Sequence, residues 1–391
     1  MIPYIKKHKW PCSPSQPLHV APSNLGTLYC IMALTPVNTS QPLLDAQLEL
    51  WQSTFGYFKS VALKCALDLH IADAIHHHGG GGATLPQIVD HITIHPSKIP
   101  CLRRLMRVLT TTGIFSTLPQ QHLSANDGNV DEEPIYVLTP VSRLLVGPQN
   151  LCPINAMIIH PMLAFSYFEL GTWFQRELPD PCIFKHAHGE ALWERAGRDA
   201  AFNALVNDGM VSDSRFMMDI VVKECGEVFR GISSLLDVAG GLGAAAQGIS
   251  KAFPGVKCSV LDLGHVIANA PSDTDVYYIA GDMFESIPPA NVMFFKWVFH
   301  DWGHEDCVKI LKNCRKVLPP REAGGKVIIM DIVLGADPLD SKRREMQVLF
   351  DLYVMLVNGI ERDEQEWKKI FLEAGFSDYK ITPVLGIRSI I

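Results

Sequence analysis

Between residues 233 and 333 the chain repeats one unit, a short apolar run followed by a stretch with helical spacing. The runs are SLLDVA (234–239), KCSVLD (257–262), VYYIA (276–280), NVMFFKW (291–297) and KVIIMDIV (326–333). Continuous apolar runs suit strands buried on both faces, and the helical stretches suit parallel crossovers. The predicted fold class is therefore α/β, with an open, largely parallel, Rossmann-like sheet. The terminal GFSDYKITPVLGIRSII predicts two further strands joined by a turn, as an antiparallel edge.

In such a sheet the C-terminal ends of the parallel strands share one edge, and ligands bind there. The polar residues of this half fall at those ends: Asp237, Asp262, Gly281-Asp282-Met283, Lys296, His300-Asp301 and Asp331. Turn formation or capping explains one or two of them, but not the series.

The first strand runs into Asp237-Val238-Ala239-Gly240-Gly241-Leu242-Gly243, a strand–turn–helix junction of the kind that cradles nucleotide-like cofactors. Gly241-x-Gly243-x-x-Ala246 also fits the dinucleotide fingerprint. An acid directly before the glycines repels a pyrophosphate and helps to hold a cationic amino group. The Asp282-Met283 pair offers a carboxylate for an adenine amine and an apolar surface for its ring. S-adenosylmethionine fits these residues better than NAD. The cofactor residues expected are Ala239, Gly240, Gly241, Asp262, Asp282, Met283 and Lys296. Ala239 stands where a glycine is expected; at positive φ it costs about 1 kcal/mol or more, and at negative φ the change is mild.

An imidazole titrates near ~6.5, so His300 is the natural proton acceptor at neutral pH. Asp331 and Glu361 are the candidates to orient it and stabilise its cation. His300-x3-His304 with Glu305, Asp306 and Cys307 nearby also resembles a metal-ligand spacing. Trp302 and Gly303 place His300 in a strand-end loop, however, so no metal is expected.

The N-terminal half reads differently. Apolar residues recur at 48, 51, 55, 58, 62, 65 and 69, a helical stripe that packs in its own domain or against a partner subunit. His76-His77-His78 before four glycines reads as a flexible loop. Thr84 caps a helix through Ile92, Pro96 and Ser97 open another through Leu109, and strands near 114–118 and 135–138 flank NDGNVDEEP. Helix, turn, helix and wing make a winged helix. Arg103, Arg104 and Arg107 suit DNA, but the wing is acidic and the net charge is −7, so packing or dimerisation is preferred. Residues 151–184, with Met157, Met162, Phe165, Tyr167, Phe168, Trp173, Phe174 and Phe184, suit an aromatic-accepting pocket, although core is the ordinary fate of each.

Residues 1–44 contain no acid and the first 31 hold five prolines. Residues 1–43 are expected to be a disordered extension, or an artefact upstream of a start at Met32. The ten cysteines show no C-x-x-C spacing, which favours reduced thiols in a cytoplasmic protein. No apolar run approaches the ~18 residues of a membrane span.

The segments SLLDVAGGLGAA, VLDLGHVIANAP, AGDMFESIPPA, FFKWVFHDWGHEDCVKILKNC, GGKVIIMDIVL and NGIERDEQEWKKIFLEAGF, in this order, resemble the plant S-adenosylmethionine-dependent O-methyltransferases of the caffeic acid, flavonoid and isoflavone type. The resemblance runs from about Leu44 to Ile391. DAQLELW and IHPSKIPCLRRLMRVL look most like the grass flavonoid and alkylresorcinol branch. It implies a winged-helix dimerisation domain (44–150) before a pocket-forming helical segment and the methyltransferase domain (151–391). It also implies a homodimer, a phenolic substrate and no metal, nucleic acid or membrane partner. His300 would be the base beside Asp331 and Glu361. Asp262 would hold the ribose, Asp282 and Met283 the adenosine, and Lys296 would contact the cofactor. The segment Met355–Asn358 would line the phenol pocket, with Met355 and Asn358 as substrate residues. Ala239, His304 and Gly264 depart from the family pattern, and the last strand is expected to be short. An impaired member, an N-methyltransferase on a related aromatic acceptor, a DNA-binding module and a dehydrogenase are the competing readings.

Overall fold

The computed structural model describes residues 40–118, 133–177, 182–336 and 340–391. The expected extension up to residue 39 and most of the acidic wing tip lie outside them. Two compact units divide the chain at Phe55/Gly56. In the first, Ser40–Phe55 is one helix with no buried residue, so Ser40–Leu43 open a helix rather than belong to the extension.

In the second unit the helix Tyr57–Asp68 buries Ala62 of the predicted stripe and leaves Cys65 and Leu69 half-buried, while its inward face is completed by Ala66 and Leu67, outside the stripe. Leu48, Trp51, Phe55 and Phe58 stay exposed. His76 and His77 are the last turn of the helix Ile71–His77 and the glycines form a 3₁₀ turn, Gly79–Gly81, so this segment is more regular than a loop. The rings of His77, His78 and His91 pack together. Thr84 caps its helix through a reciprocal box with Gln87, yet the helix stops at Val89 rather than Ile92. The long helix Ile99–Thr111 follows, and strands β1 (Phe115–Thr117) and β2 (Tyr136–Leu138) pair antiparallel as the wing. Arg103 is tied to the wing base by Glu133, at 2.8 Å.

The larger part is a three-layer α/β sheet. Its strands are β3 (Ser234–Val238), β4 (Lys257–Asp262), β5 (Tyr277–Ala280), β6 (Val292–Lys296), β7 (Lys326–Leu334), β8 (Arg362–Asp363), β9 (Thr382–Leu385) and β10 (Arg388–Ile390). The order is β5-β4-β3-β6-β7-β10-β9, with β8 beside β7. β5 to β7 along this path are parallel, and β10 runs antiparallel to both β7 and β9, as the sequence predicts for the edge. Each central strand feeds both faces. Leu236, Phe295 and Ile329 pack under the helices His304–Val317 and Glu364–Ala374. Leu235, Phe294 and Ile328 pack under Ala200–Cys225 and Ala244–Ala252. That double burial is why the strands read as unbroken apolar runs. No helix among the described residues is long and apolar enough to cross a membrane.

Candidate active site

The turn after β3 is shaped by what cannot fit beside it. Asp237 is buried under the turn, and a Cβ on Gly240 would lie 2.5 Å from its carboxyl carbon. Gly243 sits at φ +75°, and a Cβ there would meet the Tyr278 hydroxyl at 2.8 Å. Ala239 has φ +54°, the costly branch of the sequence expectation, and its N–H donates to Leu261 O at 2.8 Å.

All seven predicted cofactor residues, Ala239, Gly240, Gly241, Asp262, Asp282, Met283 and Lys296, line one cavity at the strand ends, and Asp237 lines it with them. Asp262 Oδ2 accepts from Gly241 N–H and Oδ1 from Leu263 N–H, both at 2.7 Å, while burial raises its pKa. Asp282 Oδ1 accepts from Phe284 N–H at 2.8 Å. Asp237 is pushed up to about 7 by burial, and its Oδ2 has no partner. An unpartnered buried carboxylate oxygen beside a glycine cradle is what a cationic amino group of a bound cofactor would satisfy.

Lys296, at the end of β6, is held by a residue the sequence reading did not single out. Its Nζ lies 2.6 Å from Asp213 Oδ2, and Asp213 Oδ1 accepts from Arg388 at 2.7 Å. Burial lowers the Lys296 pKa; Asp213 is held low because two cations outweigh its own burial. The Arg388 guanidinium stacks 4.0 Å from the centre of the Trp297 ring. Trp297 is itself a strained point, with φ +55° and a buried Nε1 that has no partner. Bulky residues rarely adopt this backbone, and such outliers gather at functional sites.

A second cavity abuts the first, and Trp193, Val206, Met210, Trp297 and Asp301 line both. Its other walls are almost wholly apolar, among them Ile154, Met157, Leu163, Leu192 and Phe350. His300 lies on it. His300 Nδ1 is 2.8 Å from Glu361 Oε1 and 3.4 Å from Asp331 Oδ1, so the structure brings together the three residues predicted for acid–base work. With Nδ1–H donated to Glu361, the other ring nitrogen, Nε2, keeps its lone pair. Asp301, not assigned a role from sequence, lies 3.6 Å from His300 Nε2. Burial pushes Asp301 and Asp331 up to about 7, and burial with Asp351 pushes Glu361 up to about 8. Carboxyls raised by burial are drawn back to their ionised forms when the imidazole between them gains a proton.

Two expectations are corrected. Met355 and Asn358 do not line the second cavity; Tyr353, Val354, Leu356 and Val357 do. The 3₁₀ turn Met355–Val357 rotates Leu356 inward, and Asn358 closes it exposed, at φ +65°. The segment 151–184 does line the second cavity, through Ile154, Met157, Ile158 and Leu163, but of its named aromatic and Met residues Met157 alone does so; Phe184 is core, and Phe165, Phe168 and Phe174 are exposed. His304 pairs with Glu373 at 2.7 Å, and no cluster able to hold a metal occurs among the described residues.

A Rossmann-like sheet whose strand ends and glycine turn line one cavity, with a second, apolar cavity sharing walls with it, is the architecture of an S-adenosylmethionine-dependent methyltransferase. Residues 51–148 match the O-methyltransferase dimerisation domain and residues 167–377 the O-methyltransferase domain. The chain belongs to the plant O-methyltransferase family. It is 61% identical to "O-methyltransferase ZRP4" of Zea mays, over 92% of this chain and 99% of that one. It is 51% identical to "5-pentadecatrienyl resorcinol O-methyltransferase" of Sorghum bicolor, over 90% and 97%. It is 43% identical to "Trans-resveratrol di-O-methyltransferase" of Vitis vinifera, over 90% and 97%. The fold is shared with the calicheamicin-biosynthesis methyltransferase CalO1, at TM-score 0.71 and 24% identity over 89% of this chain and 97% of that one.

Proposed function

We propose that this O-methyltransferase methylates a phenolic hydroxyl of a plant specialised metabolite, with His300 as general base, and that it works as a homodimer. The observation that carries the reading is the junction of the two cavities at Trp297 and Asp301, with His300 on the apolar side. When bound, S-adenosylmethionine supplies an electrophilic methyl group on a sulfonium. Asp237 would hold its amino group, Asp262 the ribose hydroxyls, and Asp282 with Met283 the adenine. Ala239, Gly240 and Gly241 form the turn against it, and Lys296, fixed by Asp213, faces its cavity.

On the other side, the apolar walls desolvate an aromatic acceptor and leave His300 and Asp301 to meet its hydroxyl. A phenol near ~10 is little ionised at neutral pH, so its proton must be taken as its oxygen attacks. His300 Nε2 receives it, and Glu361 and Asp331 balance the imidazolium. The sorghum and grapevine relatives named for a resorcinol and a stilbene support a phenolic acceptor with a hydrocarbon or aryl body. The dimerisation-domain match and the exposed apolar residues of Ser40–Phe55 support the homodimer. The test is transfer of labelled methyl from S-adenosylmethionine to a panel of alkylresorcinols, hydroxystilbenes, flavonoids and hydroxycinnamates. Turnover on at least one phenol is expected. A folded protein that binds S-adenosylhomocysteine and labels none would overturn the reading.

A further inference from the structure

The base rides on a turn too short to hold itself. Phe299–Asp301 is a single 3₁₀ turn, closed by Trp302 N–H to Phe299 O at 3.2 Å. Cys307 Sγ donates to Phe299 O at 3.3 Å and to Trp302 O at 3.4 Å, and the charged hold on the turn comes from the segment Gly359–Arg362. Ile360 N–H donates to His300 O at 2.8 Å. Arg362 Nη1 donates to Phe299 O at 3.0 Å and to Ile360 O at 3.2 Å, and Nη2 donates to Trp302 O. Arg362 is 3% exposed and lies over the Trp367 ring. The approach is close: a Cβ on Gly359 would lie 2.3 Å from His300 O. The same segment delivers Glu361 to the imidazole and pairs through β8 with β7, which carries Asp331.

We propose that Arg362 is a positioning residue of the reaction: its fork clamps both ends of the turn that carries His300. The inference rests on the reading of His300 as base. One planar cation bridging three carbonyls fixes the imidazole relative to both cavities, as a lysine's point charge would not. Errors of about 1 Å in such placement cost as much as ~100-fold in rate. The charge acts beside the geometry. Arg362 draws Asp331 and Glu361 toward ionisation, against burial, against Glu361 acting on Asp331 and against Asp351 acting on Glu361, with Arg388 acting in the same sense on Glu361. Removing that cation raises the proton affinity of the whole cluster, so its protonation begins at higher pH.

Arg362→Lys keeps the charge and loses the fork; Arg362→Met loses both. The measurements are kcat, S-adenosylhomocysteine affinity by calorimetry and the kcat profile from about pH 6 to about pH 9, with His300→Ala alongside. For Arg362→Lys, kcat is expected to fall about tenfold with the acid limb in place. For Arg362→Met it falls further and the limb moves up by about half a unit or more, with cofactor affinity within about threefold in both. A folded variant of either kind with the parent kcat overturns the proposal. So does a loss that only tracks the fraction of binding-competent protein while the Arg362→Met profile stays unmoved. Where Arg362→Met does not fold, Arg362→Lys decides alone. A turnover-competent His300→Ala overturns the base reading and this inference with it; an inactive His300→Ala beside an unaltered Arg362→Lys overturns this inference alone.

Discussion

Ala239 shows how one methyl group acts in two places. Its left-handed backbone, φ +54°, costs the folded state about 1 kcal/mol. That strain is present with or without ligand, so it enters stability. The methyl itself lines the cofactor cavity, so crowding enters affinity. Ala239→Gly is expected to tighten S-adenosylhomocysteine binding by about threefold to tenfold, and to leave Tm level or slightly raised, because glycine's looser unfolded chain offsets part of the relief. Unchanged or weaker affinity by calorimetry would contradict the crowding argument. Asp237 makes a second prediction at this scale. Burial holds its pKa near about 7 without ligand, and a cationic amino group brings it down. Binding near neutral pH should therefore release protons, read as a buffer-dependent heat that shrinks in Asp237→Asn.

Asp331 shares the pH dependence of stability with the other buried carboxyls raised by desolvation, Asp237, Asp262, Asp301 and Glu361. Its folded pKa, about 7, is raised above the unfolded value near ~3.9. The folded state therefore binds the extra proton. The stability so contributed is present below the unfolded pKa and is lost as pH rises through about 7. Glu361, at about 8, acts in the same sense. Melting of the ligand-free protein should thus show Tm falling from pH 6 to pH 8.5, and Asp331→Asn should flatten that slope. An equal slope in both proteins would contradict it.

At the scale of elements, what the sequence showed depended on length. Of the five parallel strands, β3, β6 and β7 were legible because burial on both faces leaves long apolar runs, while the edge strand β5, only partly buried, was legible from its apolar, β-branched and aromatic run before Gly281-Asp282. The seven residues expected at the cofactor came from the strand ends, the glycine turn and the family resemblance, and they line one cavity. β8 was not legible: two residues, Arg362 and Asp363, leave no periodicity. Asp213 was equally hidden, one acid inside the 26-residue helix Ala200–Cys225, whose partners lie at 296 and 388. Met355 and Asn358 were misplaced because a 3₁₀ turn changes the phase by which side chains face inward. Arg388 is the element-scale test. It ties β10 to Asp213 and stacks on Trp297, the wall between the cavities. Arg388→Met should raise acceptor KM by about threefold or more and shift cofactor affinity less, because Lys296 keeps its pairing with Asp213. A change confined to cofactor affinity would count against this assignment.

For the whole molecule, the stripe that begins at Leu48 is only partly buried within the chain. Leu48, Trp51 and Phe55 are exposed on the first helix, as are Tyr57 and Phe58 on the next. An exposed apolar stripe along one helix, as on Ser40–Phe55, marks an association site. Trp51→Glu with Phe55→Glu is expected to shift the protein from dimer toward monomer in sedimentation, and a parent-like dimer would place the interface elsewhere. The central claim concerns chemistry between the two cavities, and one comparison tests it most directly. His300→Ala should bind S-adenosylhomocysteine within about threefold of the parent, since His300 lines the acceptor cavity only. It should transfer labelled methyl to the best phenol of the panel at least ~100-fold more slowly. Parent-like transfer by His300→Ala would contradict the account.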